Sequence, residues 1–500
     1  MFMNQKTLSF GSHRFAFVMG LITAAAIVLR LVALIFSHAP VGEADSTIRV
    51  FYAINWLQNP YVFCPTTWPP LQFYIYGIAL ALWFDPIYTP LAVNIMCAGL
   101  LVLSMGFLVR RLMQSEEAGW IAAVLVALYP LAIRYSLIAQ PEIMLNCLIA
   151  ATLLFLLRAG SAAEDRNINR NDIMAAVLMA MACWTHMEAW FLAPVFALLL
   201  WRRWRRLAFF LLVAAIPILA FVIHTRMTYG GVPAEWYAYS YGATNTMRQL
   251  LYYPALLIKT LTPAIVLLAV VGLVHLVQNH SQEWKTQLFP ALCLVLLAVP
   301  YLFFVFAWDR TKPKEAILLS LFIIPYAALG LVQIKNLLKG ALARWLIVAI
   351  AAGMLLIAPY NWKYLGFGGI FPVPRTTAEN VKTAAWLKRH VTPVEGVVFD
   401  HLPLYADFYM ASALRALPDQ VLLTLEWPAE EVKRRLDRYL SRQQPRHLVL
   451  SRQPGTVSRL LALKCTSQGC PTNFWEPLFQ ATYEKRFQSA HYVVYTRNND

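Results

Sequence analysis

The chain has 500 residues; 59% are hydrophobic, only 14% are charged, and the mean hydropathy is +0.54. Many apolar runs reach or approach the ~20 residues that cross a bilayer, which excludes a water-soluble globular protein and predicts a polytopic helical membrane protein. The formal charge of +16 would suit nucleic acid, but the basic residues cluster in short links between apolar runs, as the positive-inside bias requires, so no nucleic-acid partner is expected.

Residues 15–36 form the first predicted span. It is followed by His38-Ala39-Pro40-Val41-Gly42 rather than a clear small-x-small cleavage site, so a retained anchor is expected. Next come Glu43 and Asp45, with Arg49 four residues later. Two carboxylates at a membrane surface, in an acid-poor chain, are candidates for chemistry or ion binding. The bland alternative is a solvated loop.

Residues 45–60 place Ile48, Phe51, Tyr52 and Trp56 at helical spacing. Residues 70–84 are apolar but short, with Pro69-Pro70 before them and Asp85-Pro86 after. Both read as helices lying at the outer interface (about 45–84), where Trp and Tyr are favoured. A crossing at 70–84 would put Arg110-Arg111 outside, against the charge rule.

The remaining spans are predicted at 89–109, 117–137, 141–157, 172–186, 189–201, 206–224, 253–275, 288–306, 315–333 and 344–360. Basic links at Lys6/Arg14, Arg110-Arg111, Arg158/Arg166/Arg170, Arg202-Arg203, Lys285 and Lys335/Lys339/Arg344 are assigned to the cytoplasm. The result is about eleven crossings, with the N-terminus inside and the C-terminus outside. The 189–201 span is short and is expected to tilt or pair tightly with its predecessor.

On that topology several polar groups fall on the outer face. Gln140-Pro141-Glu142 turns between the third and fourth spans, and His186 and Glu188 cap the fifth-to-sixth hairpin. His224 and Arg226 end the seventh span. His186, Glu188 and His224 are candidates for substrate contact or for a divalent cation. Arg310, Lys312 and Lys314 put three cations in five residues between the ninth and tenth spans. Such a cluster suits an anion, and phosphate is the natural anion beside lipid. A snorkelling basic belt is the alternative, but belts belong on the cytoplasmic face.

The transmembrane part is expected over 1–362, and the character changes after it. Over 363–500 a helix (378–390), a strand (396–399), a helix (429–442), a strand (447–450) and a strand pair (487–496) predict a small α/β domain outside the cytoplasm. Cys97, Cys147, Cys183 and Cys293 lie in apolar spans and read as packing residues. Cys465 and Cys470 could pair in an oxidising compartment.

Acids together with a cationic phosphate cradle at the outer leaflet suit a transferase that takes a sugar from a lipid phosphate. The leaving phosphate needs positive charge, and the acceptor needs a general base. The layout resembles the membrane glycosyltransferases of the GT-C superfamily, most closely the branch of the protein O-mannosyltransferases and lipid A aminoarabinose transferases. Four segments carry the resemblance: Gly42-Glu43-Ala44-Asp45, Trp68-Pro69-Pro70-Leu71-Gln72-Phe73-Tyr74, Ala139-Gln140-Pro141-Glu142, and Arg310 to Pro325. It implies a polyprenyl-phosphate-linked sugar donor and a lipid, glycan or protein acceptor. Asp45, Glu43 and Glu142 become the catalytic candidates, and Arg310, Lys312, Lys314 and Arg49 the donor-phosphate ligands. A polytopic transporter or flippase is the rival from another class. Transporters usually show repeated halves with interrupted helices, and no such symmetry is visible in this sequence.

Overall fold

A computed structural model of the chain describes residues 7–36, 44–58, 68–85, 88–160, 167–229, 252–279, 284–308, 315–338, 378–390, 397–399, 446–451, 483–488 and 492–498, with a few isolated positions between them. Fifteen helices and four strands are named below. They are α1 (Thr7–Phe36), α2 (Ala44–Gln58), α3 (Leu71–Leu82), α4 (Tyr88–Met113), α5 (Glu116–Leu128), α6 (Pro130–Ser136), α7 (Glu142–Gly160), α8 (Arg170–Thr185), α9 (Glu188–Ala197) and α10 (Trp204–Tyr229). After these come α11 (Tyr252–Asn279), α12 (Trp284–Gln287), α13 (Phe289–Trp308), α14 (Glu315–Leu338) and α15 (Ala378–His390). The strands are β1 (Val397–Phe399), β2 (His447–Ser451), β3 (Tyr483–Gln488) and β4 (Tyr492–Arg497).

Among the described residues, six helices are long and apolar enough to cross a membrane, or seven if α5 and α6 count as one broken span. The single span that the sequence predicts over 117–137 is that broken pair, bent by 57°. Pro130 is the cause. It has no N–H to donate and its ring clashes one turn back, so it opens α6 at the first position instead of continuing α5. Most of the predicted 344–360 span, the predicted 429–442 helix and Cys465 with Cys470 lie outside the described residues.

The chain divides into two compact units, one of residues 1–37, 61–75 and 91–372, the other of residues 38–60, 76–90 and 373–500. The first is a helical bundle. Helices α11 and α14 cross at Gly272 and Gly330, where a side chain on either glycine would overlap the other helix's backbone. In a bilayer, where lipid tails are as apolar as leucine, such close backbone contact is a main source of helix association.

Further ties clasp this bundle where the charge rule puts the cytoplasm. Arg206 on α10 pairs with Asp172 on α8 at 2.7 Å, and both side chains are almost fully enclosed. The same guanidinium donates to the Ala159 carbonyl at the end of α7 at 2.9 Å. Asp172 also closes a capping box with Asn169 at the head of α8. Lys335 on α14 is paired with Glu117 on α5, and Arg110 with Glu116 at 2.7 Å.

In the second unit the four strands form one sheet in the order β1-β2-β4-β3. β1 and β2 are parallel, and the other two pairings are antiparallel. Leu448, Val449, Val493, Val494 and Tyr495 are among its buried residues, and Leu448 lies opposite Tyr495. Helix α15 joins the sheet through Trp386, whose ring stacks on Phe487 of β3 with centroids 5.2 Å apart. The predicted strand pair at 487–496 is thus longer at its start, beginning at Tyr483. The same unit holds α2 against the second half of α3. Trp56 lies over Gly77, where no larger residue would fit.

Candidate functional site

The first acidic segment becomes a helix. Asp45 lies in the first turn of α2, and Arg49 follows one turn later. An acidic residue suits that position, because the unpaired N–H groups of a helix start favour negative charge. Arg49 is 1% exposed and Ser46 3%. A guanidinium this enclosed, on a helix that the sequence places at a membrane surface, is costly unless it serves a specific partner. Glu43 lies outside the described residues, as do Arg310, Lys312 and Lys314.

The second acidic segment is built by the break between α5 and α6. After α6 the chain turns through residues 137–141 and starts α7 at Glu142. Glu142 is 3% exposed, Gln140 is fully buried, and Asn146 one turn on is 1% exposed. Two side chains from other helices hold this arrangement. Asn94 on α4 donates to the carbonyls of Ile138 and Gln140, at 2.5 and 3.0 Å. Arg30 on α1 donates to the Ala127 carbonyl, at 3.3 Å, at the point where α5 breaks. A cation at a helix C-terminus offsets the negative end of its dipole. Neither Arg30 nor Asn94 carries a role in the sequence reading. The available signal was a strongly polar residue inside an apolar span, which is expensive in a membrane and therefore informative.

The third group gathers at the α8–α9 hairpin. His186 ends α8, Glu188 begins α9, and the His186 Nδ1 stands 3.6 Å from the Glu188 carboxylate. Phe63 lies sandwiched between Trp184 and His224, with ring centroids 5.9 and 4.6 Å away. Trp190 donates to the Cys183 carbonyl at 2.8 Å and packs edge-on to Phe221. The structure therefore brings His186 to Glu188 and His224 to the same aromatic wall. Among the described residues no three His, Cys, Asp or Glu side chains gather to hold a metal ion.

The sequence-predicted residues thus divide between the units. Asp45 and Arg49 lie in the second, and Glu142, His186, Glu188 and His224 in the first.

Residues 67–225 match the family of the dolichyl-phosphate-mannose-protein mannosyltransferases. That stretch contains the Trp68–Tyr74 segment, Glu142, His186, Glu188 and His224. No curated protein matches the chain by sequence. Among solved structures, ArnT from Cupriavidus metallidurans bound to undecaprenyl phosphate is similar with a TM-score of 0.61 at 14% identity, over 94% of this chain and 97% of that one. The oligosaccharyltransferase AglB from Archaeoglobus fulgidus, in complex with an inhibitory peptide and a dolichol-phosphate, is similar with a TM-score of 0.55 at 13% identity, over 89% of this chain and 70% of that one. By its fold and by residues 67–225, the chain resembles the GT-C glycosyltransferases of the ArnT and protein mannosyltransferase-like branch.

Proposed function

We propose that this membrane glycosyltransferase transfers a sugar from a polyprenyl-phosphate-linked donor to an acceptor outside the cytoplasm. The acceptor is a lipid, a glycan or a protein. The observation that carries the reading is the placement of Asp45 and a fully enclosed Arg49 one turn apart on α2. It supplies an acid and an anion-binding cation within one turn, the two charges the reaction needs.

In the reaction the acceptor oxygen or nitrogen gives its proton to a carboxylate, Asp45 or Glu43. The acceptor atom then forms a bond to the anomeric carbon. The bond from that carbon to the phosphate oxygen breaks, and its electron pair leaves with polyprenyl phosphate. Arg49, with Arg310, Lys312 and Lys314, neutralises the charge that grows on the leaving oxygen. Glu142 orients the donor or the acceptor from the head of α7. His186, Glu188 and His224 contribute substrate contacts. The N-terminus is cytoplasmic, and the 363–500 domain lies on the far side of a bacterial inner membrane, beside the acceptor. The fold and the family segment favour this reading over a transporter or flippase.

The test is Asp45→Asn in purified protein, supplied with a polyprenyl-phosphate sugar and membrane extract as the acceptor source. Turnover falls by at least a hundredfold, as expected for loss of a general base, and bare undecaprenyl phosphate still binds. Near-normal turnover in Asp45→Asn with a dead Glu43→Gln would move the base to Glu43. Full activity in both variants would sink the site.

A further inference from the structure

The turn before Glu142 holds polar atoms that the described residues leave unmatched. Gln140 is fully buried, and neither its Nε2 nor its Oε1 has a hydrogen-bond partner among the described residues. Asn146, 1% exposed, donates through Nδ2 to the Glu142 carbonyl at 2.7 Å, but its Oδ1 is also unmatched. Both residues stand at the head of α7, a 19-residue helix. An amide buried without a partner is destabilising, and more so where the dielectric is low. Ile133, Met144, Leu145 and Ile149, buried in the same stretch, show that the chain has apolar residues for ordinary packing there. No described residue completes these hydrogen bonds, and a ligand is the partner argued for below.

The type of atom narrows what that is. Two amide oxygens accept and one NH₂ group donates. A phosphate can only accept, so it would leave both oxygens unmatched. A polyprenyl chain would satisfy none of them. A ligand carrying several hydroxyls both donates and accepts, so its groups suit the amides of both residues. Swapping the assigned N and O of Gln140 leaves this count unchanged.

We propose that Gln140, with Asn146, reads hydroxyl groups of the transferred sugar, so that the α6–α7 turn sets sugar specificity. This rests on the function proposed above and adds the part of the donor that is recognised there. Because Gln140 is enclosed, the 137–141 turn must shift to admit the sugar. Asn94 and Arg30 define the position from which it moves.

The experiment measures equilibrium binding to the full chain in lipid nanodiscs. The probes are bare undecaprenyl phosphate and undecaprenyl phosphate carrying a pentose, a hexose or an N-acetylhexosamine. In the unmodified protein one glycosylated lipid binds at least tenfold tighter than the bare lipid. Gln140→Met, close in volume but unable to match a hydroxyl, loses that tenfold gain and binds the bare lipid as before. Asn146→Leu reduces the gain in the same direction and serves as the second variant. If the buried amides hold only water, Gln140→Met lowers the Tm while the sugar gain survives, and the inference is overturned. It is also overturned if the unmodified protein gains nothing from any of the sugars. If the unmodified protein binds neither bare nor glycosylated lipid, the proposed function itself fails.

Discussion

The crossing of α11 and α14 gives a sharp test of how the bundle is held. A methyl group at Gly330 would overlap the Leu268 carbonyl oxygen outright, and would stand 2.8 Å from its carbon and 3.0 Å from the Gly272 nitrogen. Ordinary carbon contacts sit at about 3.5–4.0 Å, so Gly330→Ala would force the helices apart by roughly 1 Å or more. The obstacles are backbone atoms and cannot rotate away. Over-packing of this kind costs about 1–3 kcal/mol, and backbone contact places this site at the upper end. Alanine regains about 1 kcal/mol through its better helix propensity. The net loss is about 2 kcal/mol, roughly a thirtyfold shift in the folding equilibrium. The measurement is reversible unfolding in mixed micelles, followed by tryptophan fluorescence. Gly20→Ala is the control, because nothing lies within 4 Å of a side chain added there. It should be neutral or slightly stabilising. If Gly330→Ala is as stable as Gly20→Ala, the two helices do not pack through their glycines and the crossing is wrongly understood.

Two other substitutions test the polar ties of the same bundle. Asp172→Ala leaves Arg206 buried without its carboxylate and should cost about 3–5 kcal/mol. Adding Arg206→Met to it should recover most of that loss, and a double variant no better than the single would show that the pair is not what holds α8 to α10. Asn94→Leu removes the side-chain donor from the Gln140 carbonyl and one of two donors from the Ile138 carbonyl, and should lower stability by about 2 kcal/mol. It should also weaken binding of the glycosylated lipid more than of the bare lipid, because it loosens the turn that carries Gln140. Equal weakening of both in the nanodisc assay would count against that coupling.

Much of the architecture was legible along the chain. A long apolar run in a membrane has one economical form, a helix that satisfies its own backbone. The ends of α4, α7 and α10, and the C-terminal end of α1, could therefore be read from composition to within about five residues. Helices α2 and α3 were legible too, the first from apolar residues at helical spacing and the second from an apolar run bounded by prolines. Pro130 was visible in the sequence too, but its consequence was not. Proline inside an apolar run either kinks a continuous span or ends it, and the choice depends on what receives the freed carbonyls. Here Arg30 and Asn94 donate to carbonyls on either side of the short helix α6, from two other helices and at sequence separations that no local pattern links.

The candidate site divides in the same way. Residue type and position relative to the spans singled out Asp45, Arg49, Glu142, His186, Glu188 and His224 before any coordinates. The burial of Arg49, the sandwich of Phe63 between Trp184 and His224, and the unmatched amides of Gln140 and Asn146 emerged only in three dimensions. By itself, the sequence determined that this chain lives in a membrane and where most of its described helices run, because hydropathy acts locally on each segment. Tertiary structure decided which polar groups the described residues match and which they do not, because a hydrogen bond is made or missed only once separate helices have packed.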